Sequence, residues 1–222
     1  MSISNLFAAG GIVMYPLLAF SLAAIALIIE RCLFWYKISR RQRRAIRDIL
    51  AAYRNDSELV LSKLRQNGDL PIVRIFLEAL ELDYAPPHAF RLALEGATQA
   101  ELPILQRFNT VFSTIITGAP LLGLLGTVLG LIRTFANIDI GNTGGEGVGE
   151  VTAGISEALV STASGMVVAI VTLLFYGLFR GFYKRQLALI HEYGNQLEVL
   201  HLFRYEDRQT DVGIKSKEQG RK

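Results

Sequence analysis

Three stretches of this chain, Leu6–Ile29, Phe108–Ile132 and Ala158–Phe179, carry no charged residue. About 20 apolar residues, each rising about 1.5 Å, cross the hydrocarbon of a bilayer, so each stretch reads as a transmembrane helix rather than a buried soluble one. The polar positions within them are unevenly placed. In the third, Ala158, Thr162, Gly165, Ala169, Thr172 and Tyr176 recur at alternating intervals of four and three, with Glu157, Ser161 and Ser164 on the adjoining stripe. In the second, Pro120, Gly123, Thr127, Gly130 and Thr134 repeat the pattern. Small residues let helices approach closely and hydroxyls find partners across the contact, so the two stripes are expected to face each other or a common axis. At that rise Thr127 and Thr162 both fall roughly 14 Å below the outer ends of their spans, which predicts a shared level near mid-bilayer. The first span has no polar stripe and reads as an anchor, bent near its outer end by Pro16 and closed by Phe34, Trp35 and Tyr36 at the headgroup level.

Between the first and second spans, residues 37–107 are charged and amphipathic with helical spacing and no strand alternation. Asp56 and Ser57 are suited to cap a helix that Gly68 ends, Pro71 to open the next, and Pro86 and Pro87 to punctuate before a third. That third helix shows no stop before the second span, so the pattern predicts one continuous helix bent by Pro103 and Pro120. A similar extension is expected below Arg180, where Leu187, Ile190, Leu197 and Leu200 continue an apolar face, followed from residue 207 by a disordered polar tail.

Charge sets the expected orientation. No Lys or Arg precedes Arg31, whereas Lys37, Arg40, Arg41, Arg43, Arg44 and Arg47 follow the first span and Arg180, Lys184 and Arg185 follow the third. The segment 137–153 has none and carries Asp139, Glu146 and Glu150. The positive-inside rule therefore places the amino terminus outside and the carboxyl terminus in the cytoplasm. The order is an outer terminus (1–11), a first span (12–36), a cytoplasmic helical domain (37–107), a second span (108–136), an outer loop (137–153), a third span (154–179), a cytoplasmic helix (180–206) and the tail (207–222). A cleaved signal peptide is not expected, since its basic residues precede the apolar core. The net charge of +3 requires no nucleic acid, because basic residues beside spans follow from topology and anionic lipid. The single cysteine, Cys32, cannot close an intrachain disulfide and is expected to be a small packed thiol.

Glu157 carries the sharpest chemical question. An intramembrane carboxylate is by default a functional candidate, here for proton transfer. As a structural anchor it would instead sit near a helix amino terminus with Arg133 at a similar depth. The long Arg133 side chain is expected to reach outward to the headgroups, leaving Glu157 towards a cavity or a neighbouring subunit. Other chemistry is poorly supported. The loop GNTGGEGVGE lacks the strand and Lys of a phosphate loop, STASG is not a nucleophile elbow, and His88, His191 and His201 lack metal spacing. The expectation is a non-enzyme without metal or cofactor.

The segments APLLGLLGTVLGLI, GISEALVSTASGMVVAI and ALEGATQAELPILQRF resemble the MotA/TolQ/ExbB proton-channel family, most closely its ExbB-like branch, and the resemblance covers nearly the whole chain. Three spans fit the ExbB and TolQ branches, the motor-stator branch having four. The resemblance implies an all-α inner-membrane protein forming a ring, usually of five copies, around single-span ExbD/TolR-like helices whose membrane Asp carries protons. Motion would pass to a TonB-like protein acting on outer-membrane receptors. It implies Glu157, Thr127 and Thr162 as proton-path residues. Pro120, Gly123, Gly126, Gly130, Ala158, Gly165 and Ala169 are expected to line the cavity and pack the helices. The alternatives are a TolQ-like envelope subunit, a self-sufficient transporter or channel, and a passive membrane scaffold.

Overall fold

The structure, a computed structural model, describes residues 11–55, 57–82, 85–136 and 145–219. Every regular element among them is an α-helix: α1 (Met14–Asn55), α2 (Ser57–Gln66), α3 (Pro71–Leu80), α4 (Pro87–Leu105), α5 (Asn109–Ala136) and α6 (Gly145–Gln219). Three helical stretches, Met14–Tyr53, Pro87–Ala136 and Gly154–Thr210, contain segments long and apolar enough to cross a membrane. The chain divides into two compact units, one of Met1–Cys32 with Phe108–Arg180 and the other of Leu33–Arg107 with Gly181–Lys222.

The first unit is built from the apolar parts of α1, α5 and α6. Its core gathers Val13 and Leu17 of α1, Ala119 of α5 and Ala169 of α6, with Phe20, Leu122, Leu129 and Val168 packed around them. Ala at the centre of that cluster keeps the helices close, and the larger side chains close its margins. The opposite helix faces are apolar and exposed: Leu18, Leu22 and Ile25 on α1, Leu121, Leu124 and Val128 on α5, and Leu159, Met166 and Ile170 on α6. Water disfavours so much apolar surface, whereas lipid tails or further helices suit it. Pro16 lies in the first turn of α1, where no intrahelical bond awaits its missing N–H, so the bend expected there has no cause.

The second unit packs the polar-faced part of α1, helices α2 to α4 and the distal part of α6. Ile46, Ile49, Leu64, Ile72, Phe76, Phe90 and Leu197 are fully buried in it. Pro71 and Pro87 open α3 and α4 at positions where a proline lacks nothing. Arg74 of α3 grips Glu101 of α4 through two bonds of 2.6 Å, and hydrogen bonding to that carboxylate raises the guanidinium pKa against the opposing effect of burial. On α1, Lys37 and Arg41 converge on Asp69 in the turn before α3. Partial burial pushes the Asp69 carboxyl up, but the Lys37 hydrogen bond and the Arg41 charge outweigh it and hold the group below the ordinary range. His201 stacks on Phe90 at 4.0 Å, and its ring nitrogens lie 2.9 Å from the Tyr53 hydroxyl and 2.9 Å from the Ala85 carbonyl. It joins α6 to α1 and to the approach of α4.

Several boundaries differ from the sequence reading. The expected continuous helix into the second span is broken: α4 ends at Leu105, and Phe108 adopts a φ of 69° before α5 begins. No glycine or proline stands at Phe108 to announce this left-handed residue; the Arg31 guanidinium lies over its ring, 5.3 Å from the centroid. Helix α6 starts at Gly145, within the expected outer loop, and runs through Gln219 where a disordered tail is expected. Bonds from Gln209 to the Tyr205 hydroxyl and from Thr210 to the Glu206 carbonyl support that last stretch locally. Trp35 is buried against Phe34 and Phe182 instead of lying at an exposed belt, and Cys32 is exposed, not packed. The Asp56 cap and residues 137–144 of the loop fall outside the described residues.

Candidate functional site

Glycine governs the contact between α5 and α6. A Cβ placed on Gly123 would lie 2.9 Å from the Thr162 Cα and 3.0 Å from the Ser161 carbonyl. On Gly126 it would strike the Ser161 side chain, on Gly165 the Ala119 carbonyl, and on Gly154 the Thr134 hydroxyl. On Gly130 it would come within 3.1 Å of the Ala158 Cβ. The helices therefore meet backbone to backbone at Gly123 and Gly165, while Gly126, Gly130 and Gly154 make room for the side chains of Ser161, Ala158 and Thr134 along the same seam. Gly123, Gly126, Gly130, Ala158, Gly165 and Ala169 are buried, and Pro120 is half-buried.

The hydroxyls of this seam are turned onto carbonyls. Thr162 donates across the contact to the Gly123 carbonyl at 2.9 Å, and the fully buried Ser161 reaches the same oxygen at 3.3 Å and the Ala158 carbonyl at 2.8 Å. Thr127 donates to the Leu124 carbonyl at 2.6 Å, and Thr134 to Gly130 at 2.8 Å. Thr127 and Thr162 are half-buried. They do not share a level: Thr162 stands opposite Gly123, four residues or about 6 Å along α5 from Thr127. Counting inward from loop ends assumed equal starting heights, and the early start of α6 removes that assumption.

Arg133 does not reach away from Glu157. Its Nη1 lies 3.4 Å from Glu157 Oε1, a single long contact rather than a two-pronged pair, with the Glu157 side chain 28% exposed and that of Arg133 55% exposed. Arg133 adjoins Thr134 and Glu157 adjoins Ala158 at the Gly154–Thr134 end of the seam, where their opposite charges attract. Gly11 stands against the same carboxylate: a Cβ there would fall on Glu157 Oε1.

Two participants escaped the sequence reading as site residues. Ser161 belongs to the stripe beside the one singled out, and its burial depends on the crossing of α5 and α6. Gly11 bore only the weak signal of a glycine pair, Gly10–Gly11, at the head of an apolar run. Among the described residues no three His, Cys, Asp or Glu side chains converge as a metal site would require. The site is thus a close-packed, hydroxyl-bearing helix contact with a carboxylate and a guanidinium at one end.

A model of the MotA/TolQ/ExbB proton channel family matches residues 67–192. The ExbB-like 3 protein of Synechocystis is 59% identical over 193 residues, spanning 87% of this chain and 92% of that protein. The ExbB-like 1 protein of the same organism is 38% identical over 196 residues, spanning 88% and 77%. The biopolymer transport protein ExbB of Neisseria meningitidis is 33% identical over 175 residues, spanning 72% and 77%. With the matched region embracing the seam, Thr127, Thr162, Glu157 and Arg133, the chain belongs to the MotA/TolQ/ExbB proton channel family.

Proposed function

We propose that this protein is the ring-forming, ExbB-like subunit of an inner-membrane transducer driven by the proton-motive force. It works with a single-span ExbD/TolR-like protein bearing a membrane Asp, and a TonB-like protein carries the motion to outer-membrane transport. Its amino terminus lies outside and its carboxyl terminus in the cytoplasm. The observation that carries this reading is the disposition of Thr127 and Thr162. Each hydroxyl proton is committed to a backbone carbonyl, so what each oxygen still offers is acceptor capacity. An acceptor suits a water or the protonated carboxyl of a partner. A charge at mid-seam, which would carry protons unaided, is lacking among the described residues of α5 and α6, where Glu157 and Arg133 stand at one end.

The relatives named ExbB favour this over the TolQ-like reading. The test is proton flux into vesicles holding the purified chain with and without a single-span partner carrying an intramembrane Asp. Flux that requires both proteins and disappears on replacing that Asp by Asn is expected. Equal flux from this chain alone would instead establish a self-sufficient channel, and absence of flux in every combination a scaffold.

A further inference from the structure

We infer that Gly11 is a positioning residue for the Glu157 carboxylate, a role that rests on reading Glu157 as part of the proton path. Gly11 has a φ of +67°, in the left-handed region that side-chain-bearing residues rarely adopt. Its carbonyl accepts from the Met14 N–H at 3.1 Å, forming the turn that leads into α1. The chain is anchored immediately afterwards. Val13 is 5% exposed and packs towards Gly126, and Leu17 is 2% exposed within the cluster holding Ala119 and Ala169. Gly11 therefore cannot drift from its place without disturbing the packed start of α1.

Against its bare Cα face lies the end of the Glu157 side chain. An added Cβ would overlap Oε1 and stand 3.1 Å from Cδ and 3.6 Å from Cγ, and Oε1 is the atom that faces Arg133. The carboxylate thus occupies a three-sided setting: its own helix α6, Arg133 of α5, and the backbone entering α1. Any side chain at residue 11 must displace Oε1 from the position in which it meets Arg133. The amino end of α1 also presents the positive end of a helix dipole, so the displaced position is electrostatically poorer for an anion. The structural role of Gly11 and its role in the site are separable, because the left-handed turn depends on φ and the vacancy depends on the length of residue 157.

The experiment uses the full chain with its single-span partner in vesicles and compares Gly11→Ala and Gly11→Asn in three backgrounds: wild type, Glu157→Gln and Glu157→Asp. Asn tolerates the left-handed region, so Gly11→Asn adds a side chain while keeping the turn. Glu157→Asp keeps a carboxyl group but retracts it by one methylene. The readouts are proton-coupled activity and the infrared carboxylate band assigned by subtracting the Glu157→Gln spectrum. Both Gly11 substitutions are expected to shift the band and lower activity by about 10–100-fold in the wild-type background, as a misplaced reacting group does. In the Glu157→Asp background each is expected to change activity by no more than about twofold, the tolerance for independent sites. An unmoved band, or an equal loss in the Glu157→Asp background, overturns the inference. A shifted band with activity unaffected by Glu157→Gln would keep the positioning and refute the proton-path reading.

Discussion

At the scale of single residues, the decisive feature is a carboxylate with one long contact to a cation. A two-pronged Arg–carboxylate pair would fix both groups, whereas the single 3.4 Å approach of Arg133 leaves the Glu157 carboxylate able to exchange partners. Replacing Glu157 by Gln preserves its shape and removes its proton chemistry. Proton-coupled activity in vesicles is expected to fall by about 100-fold, within the range for loss of a proton-transferring group, and full activity would show that no proton passes through it. Asp69 offers a test in the second unit. A lowered carboxyl pKa stabilises the fold above the ordinary carboxylate value of about 4, and that contribution is lost as pH falls through the lowered value. Because the Asp69 side chain is 33% exposed, screening keeps the contribution to roughly 0.2–1 kcal/mol. Asp69→Asn is expected to lower the thermal midpoint of the detergent-solubilised protein at neutral pH and to leave it unchanged in strong acid. A loss of equal size at both extremes would place the effect in packing rather than charge.

At the scale of elements, glycines divide by what faces them. Gly165 abuts the Ala119 carbonyl and the Gly123 Cα, so neither helix can yield without moving backbone. Gly165→Leu is expected to destabilise the α5–α6 pair by about 1–3 kcal/mol or more, the scale of overpacking, with loss of assembly measured by size exclusion in detergent. Gly126→Leu and Gly130→Leu are expected to overpack the same contact, Gly126 against the Ser161 side chain and Gly130 against Ala158 and the Gly154 carbonyl. Gly96 of α4, by contrast, meets nothing within 4 Å and borders an open groove of about 850 Å³ between α4 and α6. Gly96→Ala is expected to stabilise the second unit by about 0.5–1 kcal/mol through helix propensity, read as a higher thermal midpoint. The opposite outcome at either position would mean that the seam or the groove is misplaced.

At the scale of the whole molecule, the exposed apolar faces of α1, α5 and α6 place this unit in a bilayer or against copies of itself. Native mass spectrometry of the detergent-extracted protein is expected to give a multiple of the chain mass, five being the proposed number, and a monomer under mild extraction would count against the ring. In that ring, Thr127→Val and Thr162→Val should lower proton-coupled activity with the ring intact. Thr162→Val is the more disruptive of the two, since its hydroxyl bonds across the helix contact whereas that of Thr127 bonds within its own helix. If both retain full coupling, neither oxygen serves as an acceptor on the path.

Hydrophobic period and length alone settled the helical class, the three membrane segments and the small-residue stripes, because a spacing of three and four can make only one kind of face on a helix. Family membership was legible too, in short motifs such as GLLGTVLG and ISEAL. What only the tertiary structure decided is how neighbouring helices meet. The relative height of Thr127 and Thr162, the burial of Ser161, the approach of Arg133 to Glu157 and the vacancy at Gly11 all depend on how α1, α5 and α6 cross. The break at Phe108 belongs with them, since a left-handed phenylalanine has no local cause in the sequence and rests beneath a guanidinium from another helix. Periodicity describes one helix at a time, and contacts between helices are set by side chains distant in the chain.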